Sequence, residues 1–183
     1  MGDEITDGRL LKGQRRRQAI IAATIAVIGR SGLSGVSQRA VAAEAGVPGS
    51  AVSYYFPTVD GLLLAVMVDV NDRYIADLER CLAQPDPLDA LAELVVGSGS
   101  DASRGTTAAE FELFMLAGRG ERWRDEYRRW VDALERFFAR YVDREASSLA
   151  SVTIDGLILR IYCFPASLGV ADVRSLLRSM TGA

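Results

Sequence analysis

Residues 36–58 read VSQRAVAAEAGVPGSAVSYYFPT, and this stretch decides the fold. Ser37 can cap a short helix, because its hydroxyl can accept a hydrogen bond from a first-turn amide, and that helix ends at Gly46, which tolerates positive φ. A second short helix is predicted from Pro48 to about Tyr55, since proline suits a first helical turn. Two short helices joined by so brief a turn form a helix-turn-helix.

The flanking sequence predicts further helices from apolar residues at three- and four-residue spacings. One helix precedes the motif over residues 13–30, and Thr58 caps a long one that runs to about Ala83. Beyond it, helices are predicted over residues 88–96, 106–117, 121–144, 148–164 and 171–181. Residues 97–100, Gly-Ser-Gly-Ser, have the composition of a flexible linker. No stretch alternates with period two for long enough to predict a strand, so the fold class is all-α.

The composition excludes several classes of function. The chain has 183 residues, no histidine and two cysteines. Without an imidazole it cannot use Ser-His-Asp or Cys-His catalysis or His-ligated zinc. Cys81 and Cys163 are far apart and neither lies in a CxxC pair, so no thiolate zinc site is indicated. We therefore expect no metal and no cofactor.

The charge is distributed unevenly along the chain. Residues 1–58 carry a net charge of +3 and the remainder carries −6, although the whole chain is only at −3. Residues 8–58 hold seven basic residues and one acidic residue, which is typical of a surface that binds a polyanion. The alternative is that the run Arg15, Arg16 and Arg17 is solvated charge that serves solubility.

Neither secretion nor membrane insertion is predicted. The first residues, 1–11, mix acids and glycines with no apolar stretch behind their charges, and no run of about 18 apolar residues occurs. We expect a cytoplasmic protein.

The residues around the helix-turn-helix resemble the TetR family of one-component transcriptional regulators. About 50 residues carry the resemblance: 17–23 through Gly32, 36–37, 41–47, 54–58 and 60–63. Weaker similarities lie at residues 112–113 with 117–119 and at residues 154–157. The resemblance implies an N-terminal three-helix DNA-binding domain over residues 14–58, after a flexible arm of mixed charge at residues 1–13. A larger helical ligand-binding and dimerisation domain would follow over residues 59–183.

The resemblance also implies which residues meet DNA. The helix that begins near Pro48 would lie in the major groove, and the start of the preceding helix would meet the backbone. The basic lead-in, with Arg9 and Lys12, would add phosphate or minor-groove contacts. The candidate contacts are Arg15, Arg16, Arg17, Ser37, Gln38, Arg39, Gly49, Ser50, Ala51, Ser53, Tyr54 and Tyr55. For Tyr54 and Tyr55 the alternative is packing at a domain junction.

Two positions depart from the family pattern. The family usually has a tyrosine where this chain has Ser53, and a phosphate-binding lysine where it has Val59. The loss of that lysine removes one charge-assisted contact, and with it about one unit of salt dependence unless another base compensates.

The rest of the chain is acidic, helical and rich in bulky side chains, most of which must form a core. Candidate ligand-lining residues are Phe111, Phe114, Met115 and Trp130, with core packing as the alternative. The last two helices are predicted to form a two-fold dimer interface, because one helix-turn-helix alone buries too little surface for specific binding. The predicted interface residues are Ile154, Leu157, Ile158, Ile161, Val173, Leu176, Leu177 and Met180.

The sequence thus predicts a ligand-responsive repressor that binds a palindromic operator as a homodimer and is released by a small-molecule inducer. One alternative is an enzyme using Glu110 and Glu112 with Arg119, but side chains two apart on a helix diverge. Another is a helical adaptor or small-molecule-binding protein that has lost specific DNA binding, motivated by Ser53 and Val59.

Overall fold

The computed structural model describes the backbone of residues 2–183 and the side chains of residues 11–183. This part of the chain contains no strand, and the all-α prediction is confirmed. Short 3-10 turns at Leu33–Gly35 and Met115–Arg119 interrupt the α-helices. The helices are α1 Gly2–Ser31, α2 Gln38–Ala45, α3 Gly49–Tyr55, α4 Val59–Leu82, α5 Pro87–Gly97, α6 Arg104–Phe114, α7 Glu121–Phe138, α8 Arg144–Cys163 and α9 Val170–Thr181.

Local signals fix the helix-turn-helix. The Ser37 hydroxyl accepts a hydrogen bond from the Ala40 amide at 3.1 Å and caps α2. Gly46 ends α2 with φ of 62°, a left-handed conformation that favours glycine. The Thr58 hydroxyl accepts from the Gly61 amide at 3.0 Å and caps α4. The predicted caps at these two hydroxyls are confirmed.

The first helix is longer than the sequence predicted. It begins at Gly2, not near residue 13, because residues 2–13 contain no proline and include several good helix formers. The segment that we predicted as an arm therefore has a helical backbone from Gly2 onward. The side chain of Arg9, one of the predicted contacts, lies outside the described residues.

Two clusters of buried side chains form the core. The first joins α1, α2 and α3 to the start of α4 and also includes Leu113 of α6 and Trp123 of α7. The second lies among α4, α5, α7, α8 and α9 and includes Leu91, Phe137 and Ile154. Helix α4 contributes to both, so it connects the helix-turn-helix to the rest of the molecule.

The predicted dimer contacts need correction. Ile154, Leu157, Ile158 and Ile161 of α8 are buried in the second core of their own chain. The same holds for Val173 and Leu177 of α9, whereas Leu176 is exposed and Met180 is half-buried. An apolar stripe on a helix looks the same in sequence whether it meets its own core or a second chain, and here it meets its own core.

Helix α8 carries a second apolar face. Leu149, Val152 and Leu159 are 64%, 66% and 47% exposed. By length and composition α8 could cross a membrane, as could α3 and α4 if taken together. However, the inner face of α8 is buried in the second core, and α4 contributes buried apolar residues to both cores.

Residues 97–100 are not a flexible linker. Ser98 is buried, and its carbonyl accepts a hydrogen bond from the Thr107 hydroxyl at 2.9 Å. Gly99 lies so close to α8 that a Cβ there would come within 2.3 Å of the Ile161 Cγ2 atom. The segment is packed between helices, and glycine allows the close approach.

Candidate DNA-binding surface and ligand cavity

Helix α3 presents an outward surface because its inward residue is fixed in the core. Val52 is fully buried together with Val41 of α2 and Phe56. On the opposite side Tyr54 is 80% exposed, and Gly49, Ser50 and Ser53 are exposed with it. A tyrosine so exposed does not pack at a domain junction, and it is available to a partner.

Two of the residues predicted to contact DNA, Ser53 and Gln38, are hydrogen-bonded to each other. The Ser53 hydroxyl donates to Gln38 Oε1 at 2.8 Å, and Gln38 Nε2 donates to the Phe56 carbonyl at 2.9 Å. These bonds tie the start of α2 to the end of α3. Ser53, at one of the two positions that depart from the family pattern, therefore belongs to a hydrogen-bond network that the sequence did not reveal.

Tyr55 and Ala51 are less available than Tyr54. Both are half-buried. A Cβ built on Gly13 of α1 would lie 3.5 Å from the Tyr55 hydroxyl, so this side chain packs close to α1. For Tyr55 the packing alternative fits the structure.

Basic side chains line the groove between α1 and the end of α3. The groove has a volume of about 550 Å³, and Lys12, Arg15 and Arg16 lie along it beside Tyr55. All three are exposed, as is Arg39 of α2. The predicted basic lead-in thus lies next to the end of α3.

Other bases of the N-terminal region are engaged within the chain. The Arg17 guanidinium lies 5.2 Å from the centroid of the Phe56 ring, and Arg30 pairs with Glu44 at 2.6 Å. Val59, where the family usually has lysine, packs half-buried against the first core. Within residues 11–58, the exposed bases that remain beside the helix-turn-helix are Lys12, Arg15, Arg16 and Arg39.

A small cavity lies between α4, α6, α7 and α8. Phe111, Phe114 and Trp130 line it together with Tyr74, Glu110, Asp155 and Ile158. Three of the four predicted ligand-lining residues are thus brought together. Met115 is not among them, because the 3-10 turn after α6 leaves it 77% exposed.

Two carboxylates line this cavity that the sequence did not predict there, Glu110 and Asp155. The Tyr74 hydroxyl donates to Glu110 Oε2 at 2.7 Å. Asp155 accepts from the Tyr127 hydroxyl and from the Trp130 indole, each at 2.9 Å. In the sequence, a carboxylate between Ile154 and Gly156 was the feature that could have marked Asp155 as a candidate site residue.

Burial dominates the ionisation of both carboxylates. It raises the pKa of Glu110 to about 7, although the Tyr74 hydroxyl and the nearby Arg73 act in the opposite direction. Burial also raises the pKa of Asp155, against its two hydrogen bonds. The pKa of Tyr127 rises to about 12, first by burial and then by the Asp155 charge.

An open cleft of about 790 Å³ lies next to this cavity, between α4, α5 and α6. Tyr74 and Glu110 line both spaces, so their hydrogen bond lies between the cleft and the cavity.

Comparisons with known proteins agree with this arrangement. The model for bacterial regulatory proteins of the tetR family matches residues 20–66, and the model for the tetracyclin repressor-like C-terminal domain matches residues 84–183. The chain belongs to the TetR family. It is similar to the HTH-type transcriptional regulator BetI of Cronobacter sakazakii, with 31% identity over 79% of this chain and 78% of the relative.

Solved TetR-family structures share the fold. SCO1917 of Streptomyces coelicolor A3 is 28% identical, with a TM-score of 0.76 over 91% of this chain and 98% of that one. The multidrug binding protein EbrR, solved in complex with ethidium, is 27% identical, with a TM-score of 0.73 over 90% and 97% of the two chains. The chain is accordingly a DNA-binding, ligand-responsive regulator of this family.

TetR-family membership and the geometry both argue against the enzyme alternative. Glu110 points to Tyr74, whereas Glu112 Oε2 accepts from the Leu33 amide at 2.6 Å. The two carboxylates therefore do not converge on one site, and the family and its relatives are regulators. Among the described side chains no cluster could hold a metal ion.

Helix α6 of this TetR-family chain borders the candidate cavity and also contacts the segment before the helix-turn-helix. Glu110 lines the cavity, and Glu112 on the same helix holds the turn that precedes α2. Gly29 of α1 lies against the Gly105 backbone of α6, where a Cβ would come within 2.8 Å of the Gly105 carbonyl. A shift of α6 would therefore displace α1 and the turn that precedes α2.

Proposed function

We propose that the protein is a repressor that binds a palindromic operator as a homodimer and releases it when a small molecule binds. The observation that carries the proposal is the outward surface of α3, where Tyr54 is 80% exposed beside a groove lined by three bases. A large exposed side chain next to exposed positive charge suits base and phosphate contacts. As a regulator of transcription it would act in the cytoplasm.

The DNA contacts that we propose follow the exposed residues. Tyr54, Ser50 and Gly49 face the major groove, and Arg15, Arg16 and Arg39 meet phosphates. Ser37 offers its backbone and hydroxyl at the start of α2, while Gln38, Ser53 and Arg17 hold the helices in place.

We propose that the dimer forms through the outer face of α8. Leu149, Val152 and Leu159 follow one another at three- and seven-residue spacings, and Gly156 between them leaves open space for a partner helix. Leu176 of α9 is also exposed. A two-fold dimer is what a helix-turn-helix protein needs to read two half-sites.

The proposed inducer site is the cleft together with the aromatic cavity. Support comes from the size of the cleft, which suits a small molecule, and from EbrR, whose structures hold ethidium or malachite green. Binding there must favour the state that does not bind DNA, since a ligand shifts an equilibrium only by its differential affinity.

In-vitro selection of genomic fragments tests the proposal. The purified protein at near-physiological salt should enrich one palindromic site, and Tyr54→Ala should fail to enrich it. Met115→Ala, which truncates an equally exposed side chain outside the head, is the control and should select the same site. If the unmodified protein recovers no common site, the adaptor alternative replaces the repressor.

A further inference from the structure

Glu110 is a carboxylic acid buried at the contact between α4 and α6. It is only 5% exposed, and its Oε2 atom accepts a hydrogen bond from the Tyr74 hydroxyl at 2.7 Å. Within residues 11–183 no arginine or lysine nitrogen lies at ion-pair distance from it. A negative charge here has lost most of its water and has no counter-charge in direct contact. The ionised form therefore destabilises the contact between the two helices.

The groups that surround Glu110 do not reverse this effect. The titratable and charged groups lining the same cleft and cavity are Arg73, Tyr74, Asp77 and Arg80 of α4, Glu93 of α5 and Asp155 of α8, whose carboxylate accepts from Tyr127 and Trp130 of α7. Arg73 favours ionisation of Glu110, but it already pairs with Asp69 at 2.9 Å. Burial outweighs Arg73 and Tyr74 and raises the pKa of Glu110 to about 7.

The open cleft gives this carboxyl group a route to water. Tyr74 and Glu110 form part of the lining of the cleft, which has a volume of about 790 Å³. A proton can therefore leave Glu110 without unfolding of the molecule. Once ionised, the carboxylate gains hydration if α4 and α6 separate at the cleft, so ionisation and separation of the helices favour each other.

Helix α6 also holds the DNA-binding head, α1–α3, in place. Glu112 Oε2 accepts a hydrogen bond from the Leu33 amide at 2.6 Å, in the turn before α2. A Cβ on Gly29 of α1 would lie 2.8 Å from the Gly105 carbonyl oxygen, so α1 packs directly on α6. The half-sites of a palindrome have a fixed spacing, and a loosened head must be ordered again when it binds them. Release of α6 from α4 therefore lowers affinity for DNA.

The composition leaves few other groups to titrate near neutral pH. The sequence has no histidine, and ordinary carboxylates titrate near about pH 4, thiols and phenols above about pH 8. Burial raises the pKa of the Cys81 thiol further. Asp155 is the other acid whose pKa burial raises, and a variant at Glu110 distinguishes the two.

Given the proposed function, we infer that the proton is an effector of this regulator, sensed by Glu110 at the contact between α4 and α6. With Glu110 protonated, the two helices stay together and α6 holds the head. With Glu110 ionised, the helices separate and the head is released. Operator affinity therefore falls as the pH rises through neutrality.

Operator binding at two pH values tests the inference. In fluorescence anisotropy titrations at constant ionic strength, the unmodified protein should bind its selected operator at least about threefold more weakly at pH 7.5 than at pH 6. Proton linkage allows up to about tenfold per pH unit for each chain. Equal affinities at the two pH values, or tighter binding at pH 7.5, would overturn the inference.

Two matched variants locate the sensor. Glu110→Gln keeps the shape of the side chain without an ionisable group, so its operator affinity should be the same at pH 6 and pH 7.5. Glu79→Gln removes an exposed carboxylate from the same helix as Tyr74, outside the cleft, and should keep the full pH dependence. A Glu110→Gln protein that retains the dependence would place the sensor at another group and contradict the inference.

Tyr74→Phe separates titration of Glu110 from a purely structural role of its hydrogen bond. The Tyr74 hydroxyl lowers the pKa of Glu110, so its loss should move the midpoint of the pH dependence of operator binding to higher pH. A merely structural bond would instead change affinity equally at all pH values. An unmoved midpoint would show that the pH dependence arises elsewhere.

Hydrogen exchange of the Leu33 amide distinguishes this inference from the function on which it rests, because it needs no DNA. At pH 7.5 this amide should exchange at least about threefold faster in the unmodified protein than in Glu110→Gln, and at pH 6 the two rates should agree, as measured by NMR. If no operator is selected but the amide responds in this way, the proton switch stands and the repressor is wrong. If an operator is bound and the amide does not respond, the repressor stands and the switch is wrong.

Discussion

At the scale of single residues, Glu110 makes the stability of the fold depend on pH. Burial raises its pKa from 4.5 to about 7. Between pH 4.5 and pH 7 the folded state therefore keeps a proton on Glu110 that the unfolded chain has released. The unfolded chain then binds fewer protons, and the contribution of Glu110 to stability falls as pH rises from about 4.5 to 7. The full effect is ~3 kcal/mol.

Glu110→Gln should remove this dependence. Relative to the unmodified protein, the variant should gain free energy of unfolding between pH 5 and pH 8, as measured by urea denaturation. The neighbours Tyr74, Arg73 and Asp155 are the same in both proteins. Glu79→Gln should show no such trend, and a difference for Glu110→Gln that is flat across this range would contradict the burial argument.

Arg15 and Arg16 should contribute to the salt dependence of DNA binding. Each phosphate contact adds about 0.9 to the slope of log affinity against log salt concentration. Because the proposed dimer brings two copies of each side chain to the operator, the double variant Arg15→Ala with Arg16→Ala should flatten the slope by about 3.6, in fluorescence anisotropy titrations of an operator duplex. Arg30→Ala is the control, because Arg30 pairs with Glu44. An unchanged slope in the double variant would remove α1 from the contact surface.

At the scale of elements, residues 97–100 illustrate a close packing that the sequence hid. Gly99→Ala would place a Cβ 2.3 Å from Ile161 Cγ2 of α8, so the neighbouring helices must shift. We expect a loss of about 1–3 kcal/mol in the free energy of unfolding, by chemical denaturation. Gly97→Ala, with open space at its Cβ, should be neutral or stabilising. Equal effects at both positions would show that Gly99 is not packed.

The sequence predicted best where the signal is local. The caps Ser37 and Thr58 and the left-handed Gly46 act within one or two turns, and the structure has each of them in place. The orientation of α8 depends on distant partners, since this helix has one apolar face toward its own core and another toward solvent. Spacing alone could not tell which face is which.

At the candidate cavity, too, the sequence predicted the local features and missed the contacts between distant residues. An aromatic cluster on α6 and α7 was visible in sequence, but the contacts of Glu110 with Tyr74 and of Asp155 with Trp130 join residues 25 to 36 positions apart. Only the packing of four helices brings them together. Ser53 was recognised as a departure from the family, yet its bond to Gln38 needed the geometry of α2 against α3.

At the scale of the whole molecule, the proposed dimer face can be tested by a single charge. Val152→Arg places a guanidinium at the centre of the exposed apolar face of α8, and desolvating it in an interface is costly. The variant should sediment as a monomer and lose high-affinity operator binding. Ala139→Arg, at an exposed position just after α7, should stay dimeric. A Val152→Arg protein that remains dimeric would place the interface on another surface.

The reading of DNA by two linked heads is the central claim, and one binding measurement tests it most directly. The affinity of the protein for its selected inverted repeat is compared, at physiological salt, with its affinity for the same duplex carrying one scrambled half-site and for random DNA. The account predicts binding to the intact repeat at least about 10³-fold above random DNA, with most of that preference lost when one half-site is scrambled. Equal affinity for all three duplexes would contradict it.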